Sequence, residues 1–410
     1  MWKIAQKLVL ASITTLLTAT ASLSAGFYGG DSCDNSCNPC NPCNNDCFCG
    51  DWCFEAEVLY WRTNVDELPI GQKVHTCTNP TIVVPIPGDG TITVTPSTCN
   101  DIFTKYLDFD WRPGARATLG YKSPCYCWDF NLTWTWLHSK AHASLDDDEP
   151  FESPIAFILP AWISGATPPF NTGPAGPFTD FHIEGDWGLN YNAVELGFGY
   201  TFCACCDQFR VRPHFDLKIA SIRQRLTVRN ETTFTGFPVT GGFAPFTSTD
   251  EVFAHRDYLG VGPQVGVDFN YTICGGLSFY GKAAAALLYA EPEIEVRGKI
   301  VTHSDTFVSL DFEENSVHRD RTNPRHINFN STLGAGFAYS RWVCDCCYRL
   351  TFKLGWEHHF YTDQNQFHRA VFTAAGAGSF AGTTIPDLVV PVENGNLSLY
   401  GLTASICLDY

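Results

Sequence analysis

Long stretches of this chain alternate between apolar and polar residues, and a period of two dictates extended strands with one face of each kind. From 126 to 138 the even positions read Tyr126, Trp128, Phe130, Leu132, Trp134 and Trp136, with Asp129, Asn131, Thr133 and Thr135 between them. From 259 to 273 the odd positions run Leu259, Val261, Pro263, Val265, Val267, Phe269, Tyr271 and Ile273, against Gly260, Gly262, Gln264, Gly266, Asp268, Asn270 and Thr272. Such runs last about 12 to 18 residues, whereas strands of globular proteins cluster near 5 to 6. A soluble sandwich also alternates. Here, however, the second face is too polar and glycine-rich for a packed core, which predicts a water-filled lumen inside a lipid-facing barrel.

Composition agrees: 31 Phe, 16 Tyr, 11 Trp and 34 Gly suit strands with interfacial aromatic girdles. No stretch beyond the N-terminus has the roughly 20 uninterrupted apolar residues of a transmembrane helix. Ten strands are legible, at about 53–63, 105–121, 127–140, 186–202, 208–229, 256–273, 277–298, 326–343, 348–364 and 397–410. Short turns follow Tyr121, Phe202, Ile273 and Val343, and long segments rich in Gly, Pro, Thr and Asp span about 64–104, 141–184, 230–255, 299–325 and 365–396. Segments within 81–92 and 308–312 are expected to extend strands above the membrane. The fold class is therefore all-β, a transmembrane antiparallel up-and-down barrel of about 10–12 strands with short periplasmic turns and long extracellular loops. The final alternating strand, closing on Tyr410, resembles the assembly signal of bacterial outer-membrane barrels.

The first residues, MWKIAQKLVLASITTLLTATASLSAG, carry Lys3 and Lys7, then a short apolar run, then small residues. That is a secretory signal over 1–24, with cleavage after Ala21 or Ser24. Residues 25–52 form a Cys/Asn/Pro-rich periplasmic segment and 53–410 the barrel.

The stretches FEAEVLYWRTNVDELPIG (54–71), DFDWRPGARATLGY (108–121), NAVELGFGY (192–200), VRPHFDLKIASIRQ (211–224), GPQVGVDFNY (262–271) and LGWEHHFYTDQNQF (354–367) resemble the Legionella-type major outer membrane protein family. Members also occur in Chlamydia-related bacteria as MOMP-like porins. The likeness keeps its order over nearly all of 54–410. It implies a pore-forming barrel in the bacterial outer membrane and carries over no catalytic residues. The chain departs from the general pattern in its 19 cysteines.

Those cysteines gather at one end. Cys33, Cys37, Cys40, Cys43, Cys47, Cys49 and Cys53 precede or begin the first strand, and Cys125, Cys127, Cys203, Cys205, Cys206, Cys274, Cys344, Cys346 and Cys347 sit in short turns. Cys407 lies on the same side, while Cys77 and Cys99 fall in the first outer loop, where a bridge across its neck is expected. Cross-links to other copies or to cysteine-rich envelope proteins, purely internal bridges, and a metal site are the three readings. The oxidising compartment and the absence of a neighbouring histidine weigh against metal. An odd total leaves at least one thiol unpaired unless it bonds to another chain.

If apolar residues face lipid, the opposite phase lines the pore. Glu55, Glu57, Arg112, Arg116, Arg210, Arg212 and Lys218 then face inward, with His214 and Asp216. Near Ala220–Ser221 the apolar phase changes, which predicts a bulge that turns Arg223, Arg225 and Arg229 into the lumen. A basic ladder facing carboxylates would orient polar solutes. No enzymatic motif, cofactor site or metal site is assigned. GVGPQVG (260–266) lies inside a strand and opens no helix, so phosphate cradling fails. A net charge of −17 argues against nucleic acid as a partner. The expected function is passive diffusion of small hydrophilic solutes and ions, joined to a disulfide-tied structural role. The alternative is a plugged structural or adhesin-type barrel, which the narrow bore of ten strands would favour.

Overall fold

The computed structural model describes residues 52–66, 68–78, 82–86, 90–94, 98–123, 128–146, 157–160, 162, 178–204, 208–239, 242–290, 292–303, 312–320, 326–343, 348–365 and 395–409. The signal segment, the cysteine run Cys33–Cys49, and Cys125, Cys127, Cys205, Cys206, Cys344, Cys346 and Cys347 lie outside them.

Ten strands make the wall: β1 (Trp52–Val65), β2 (Trp111–Lys122), β3 (Trp128–Asp146), β4 (Phe178–Tyr200), β5 (Phe209–Val239), β6 (Gly242–Cys274), β7 (Leu277–Ala290), β8 (His326–Val343), β9 (Tyr348–Asn365) and β10 (Gly395–Asp409). Each pairs antiparallel with its chain neighbours, and β1 pairs with β10 from Cys53↔Asp409 to Val65↔Leu397, so the ring closes. These are the ten runs that the alternation marks. The even number returns β10 to the end where β1 begins. Between β6 and β7 the turn is only Gly275-Gly276, with φ of +56° and +87°, a left-handed pair that glycine adopts without Cβ strain.

The long connections are more ordered than their composition suggests. The segment expected as a loop over 230–255 is a hairpin: β5 and β6 stay paired out to Val239↔Gly242. Beyond β7, strand Glu293–His303 continues alongside β6 and takes Phe312–Asp320 on its other edge. Strands Pro69–Thr78, Thr98–Tyr106 and Phe157–Pro160 form a small sheet, whose backbone register sets Cys77 opposite Cys99. Ile82–Ile86 and Gly90–Val94 form a further hairpin.

The outside of the wall is apolar over a band. Val58 is 66% exposed and Leu354 60%, a display that a water-soluble monomer avoids and lipid satisfies. Aromatic rings bound the band. At the outer edge Tyr60 stacks on Trp111 at 5.6 Å, and Trp356 and Tyr400 pack around the same indole. At the turn edge Trp52 meets Tyr121, and Trp128 meets Phe198 and Tyr200. Trp128 and Trp356 are thus girdle residues. Trp61 and Trp187 are not: both are buried inside the barrel.

Above the outer girdle the wall continues in the same register, but its surroundings exchange. On β5 the pairing runs without a bulge from His214 to Thr233 on one side and from Phe209 to Phe234 on the other. Ile222, Leu226 and Val228 therefore stay on the inner face, at 0–2% exposure, while Arg223, Arg225 and Arg229 point outward. The apolar residues change sides relative to the membrane because the solvent outside changes from lipid to water. A register shift does occur where the chain enters β2, between Phe109↔Ala141 and Gly114↔Leu137, around Asp110.

Candidate functional site

Inside the barrel two tiers of side chains are stacked. At the level of the lipid band the luminal phase is charged. Arg116 on β2 donates to Glu57 at 2.7 Å and forms a two-pronged pair with Glu357 of β9 at 2.8 and 3.0 Å. Glu357 also takes the ammonium of Lys282 from β7 and a 3.2 Å contact from His359. Lys353 reaches both oxygens of Glu55 at 2.9 Å. Lys218 pairs with Glu195 at 2.8 Å, and Gln264 ties Asp216 to that group at 2.7 Å. Nearer the periplasmic mouth Arg212 bridges Asp129 and Asp268. Charges removed from water demand such partners, since an unpaired buried ion costs several kcal/mol.

The luminal glycines belong to this network. A Cβ at Gly199 would lie 2.5–2.7 Å from the Arg212 guanidinium, and one at Gly355 would strike the Tyr280 hydroxyl. At these two positions, small residues that read from the sequence as signs of a wet bore are spaces that neighbouring side chains fill.

The second tier, at and above the outer girdle, is mainly apolar, with Ser139, Gln224 and Asn330 buried among the apolar side chains. One luminal row runs Leu137, Tyr191, Ile222 and Tyr258 across β3 to β6. Leu59, Leu189, Leu288 and Leu399 complete the tier at 0% exposure. Tyr191 and Tyr361, on strands five places apart in the ring of ten, meet with their hydroxyl oxygens 2.7 Å apart. Trp61 stands at the junction of the tiers, 4.8 Å from the His359 ring and 5.4 Å from the Arg116 guanidinium. Higher still, Arg256 is buried against the backbone carbonyls of Asp363 and Gln364. Ile70 fills the space above Gly185, and Trp162 donates to the Pro69 carbonyl at 2.8 Å.

Of the residues expected to line the lumen, Glu55, Glu57, Arg116, Arg212 and Lys218 do so, together with His214 and Asp216, which bond to each other at 2.7 Å. Arg210 holds the luminal phase nearer the turns and makes no ion pair among the described residues. Arg112 also holds the luminal phase, opposite Trp61, but pairs with Asp110 at 3.1 Å beside the bulge and does not join the network. Arg223, Arg225 and Arg229 are outside the barrel, the first and last near Asp257 and Glu251. Missed from the sequence were Lys282, Glu357, His359, Tyr191 and Tyr361; extending the phase rule along β4, β7 and β9 would have found them. Cys407 is luminal, with its sulfur 3.0 Å from that of Cys53.

A family model described as the Legionella pneumophila major outer membrane protein precursor matches residues 42–409. The chain belongs to this family. With the closed barrel and its lipid-facing band, membership places the protein in the bacterial outer membrane. No curated protein matches the chain. Among solved structures it is similar to a FadL homologue from Pseudomonas aeruginosa, at 8% identity over 88% of this chain and 90% of that one, with a TM-score of 0.25. The P. putida toluene transporter TodX matches at 8% identity over 88% and 90%, with a TM-score of 0.22.

Proposed function

We propose that the protein is an outer-membrane channel that stands shut, passing small hydrophilic solutes and ions only when its apolar tier is displaced. The observation that carries the reading is the charged tier. A barrel needed only as a wall would be as stable, or more so, with an apolar interior, because desolvating Arg116, Glu57, Glu357 and Lys218 costs what their pairing returns. Ionisable side chains held inside a membrane span mark a pathway by default. The shut state follows from magnitudes. Wetting Leu59, Leu137, Leu189, Ile222, Leu288 and Leu399 alone would cost roughly 9–18 kcal/mol at about 1.5–3 kcal/mol each. Thermal fluctuation does not supply that, so passage requires a triggered rearrangement.

The Tyr191–Tyr361 bridge favours a second reading, a plugged structural barrel without pore activity. Single-channel recording in planar bilayers separates the two, using wild type and a Trp61→Ala/Tyr191→Ala/Tyr361→Ala variant, with folding checked by heat-modifiable gel mobility. The channel reading expects a silent wild type and discrete conductance steps in the variant. Silence from both folded proteins assigns the structural role. Cross-linking of copies through the turn cysteines is compatible with either and is tested by non-reducing gels of intact cells.

A further inference from the structure

Cys53 lies on β1 in the luminal phase of Glu55 and Glu57, and Cys407 lies on β10 in the luminal phase of Ser405. The register sets Cys53 opposite Asp409 and Cys407 opposite Glu55, so the two cysteines are diagonal neighbours across the seam where the ring closes. Their sulfurs are 3.0 Å apart although 354 residues separate them in sequence. A disulfide needs about 2.0 Å, which leaves ~1 Å to travel. Gly120 of β2, opposite Cys53, has no side chain to crowd it.

We propose that Cys53 and Cys407 form an intramolecular disulfide that clasps the first strand of the barrel to the last, inside the lumen at the periplasmic mouth. The half-buried Cys53 is the point of entry and the buried Cys407 the resolving partner. The Cys53 thiolate attacks the disulfide of a dithiol–disulfide oxidant, releasing one oxidant thiol. The Cys407 thiolate then displaces the second from the mixed disulfide. Two protein thiols are oxidised to one S–S bond, and the oxidant is reduced to its dithiol with the two protons. The periplasmic side of an outer membrane is an oxidising compartment where such a bond persists.

A metal is the other chemistry these atoms suggest, since Asp409 completes a group of donors within 4.8 Å of one another. Its carboxylate, however, already pairs with the Lys122 ammonium at 2.7 Å, and a tetrahedral site wants a fourth ligand. The clasp joins two strands of one chain, so it is independent of any link between copies and of channel activity. It forms only once β1 and β10 have met, which makes it a covalent record of barrel closure.

The test is peptide mapping of the full-length protein taken from outer membranes alkylated with N-ethylmaleimide before lysis and digested without reductant. The expected product is a peptide joining Cys53 to Cys407 that disappears on reduction, and in Cys407→Ser the Cys53 peptide carries maleimide. Maleimide on both cysteines in wild type overturns the proposal. So does Cys53 joined to any other cysteine, or one zinc per chain with both thiols unoxidised. The wild-type map decides even if Cys407→Ser fails to fold.

Discussion

The hydroxyls of Tyr191 and Tyr361 meet 2.7 Å apart in the interior of the barrel, from strands at opposite sides of the ring. Both rings are buried. A bond between opposite walls spans the bore, so the lumen at that level is filled by side chains.

Removing one partner of that bridge strands the other. Tyr191→Phe leaves the Tyr361 hydroxyl buried without its partner and is expected to cost about 1–3 kcal/mol. Adding Tyr361→Phe removes both hydroxyls, so the double variant should lie closer to wild type than the sum of the singles. Urea unfolding in detergent micelles measures both; additive losses would show that the hydroxyls act separately.

Glu357 is the node where Arg116, Lys282 and His359 converge. Glu357→Gln removes the carboxylate that Arg116 and Lys282 share, leaving Arg116 with Glu57 alone and the buried cluster one counter-charge short, an expected loss of about 3–5 kcal/mol. Pairing it with Arg116→Met should recover part of that loss, and a double-mutant cycle on unfolding free energies reads the coupling. In any variant that conducts, Glu357→Gln shifts the salt-gradient reversal potential toward anion preference.

The outward arginines supply the contrast. Arg223→Gln, Arg225→Gln and Arg229→Gln change exposed groups, and each is expected to move stability by less than about 0.5 kcal/mol. Ion preference should stay as in the parent protein. A selectivity change as large as that of an Arg116 variant would put these side chains in the lumen after all.

Gly262 on β6 lies where an added methyl would strike the backbone carbonyl of Leu287 on β7. Backbone does not swing aside as a long side chain does. Gly262→Ala should therefore cost about 1–3 kcal/mol and lower the temperature at which the heat-modifiable band converts. An unchanged conversion temperature would mean that the two strands stand further apart there.

The period of two was enough to determine the ten strands, their alternating turns and which residues of a strand share a face. Glu57, Arg116 and Lys218 could be assigned inward on that basis because side chains alternate whatever the surroundings. The sequence does not carry the medium on each side at each height. Arg223 and Ile222 read as a change of phase, because apolar was equated with outward. Tertiary structure shows one unbroken phase crossing from lipid into water, with an apolar core where the outside is wet. Nor does an alternation say how wide the ring is. Closure of ten strands brings Tyr191 to Tyr361 and Cys53 to Cys407, and contacts between residues so distant in sequence are created by closure alone.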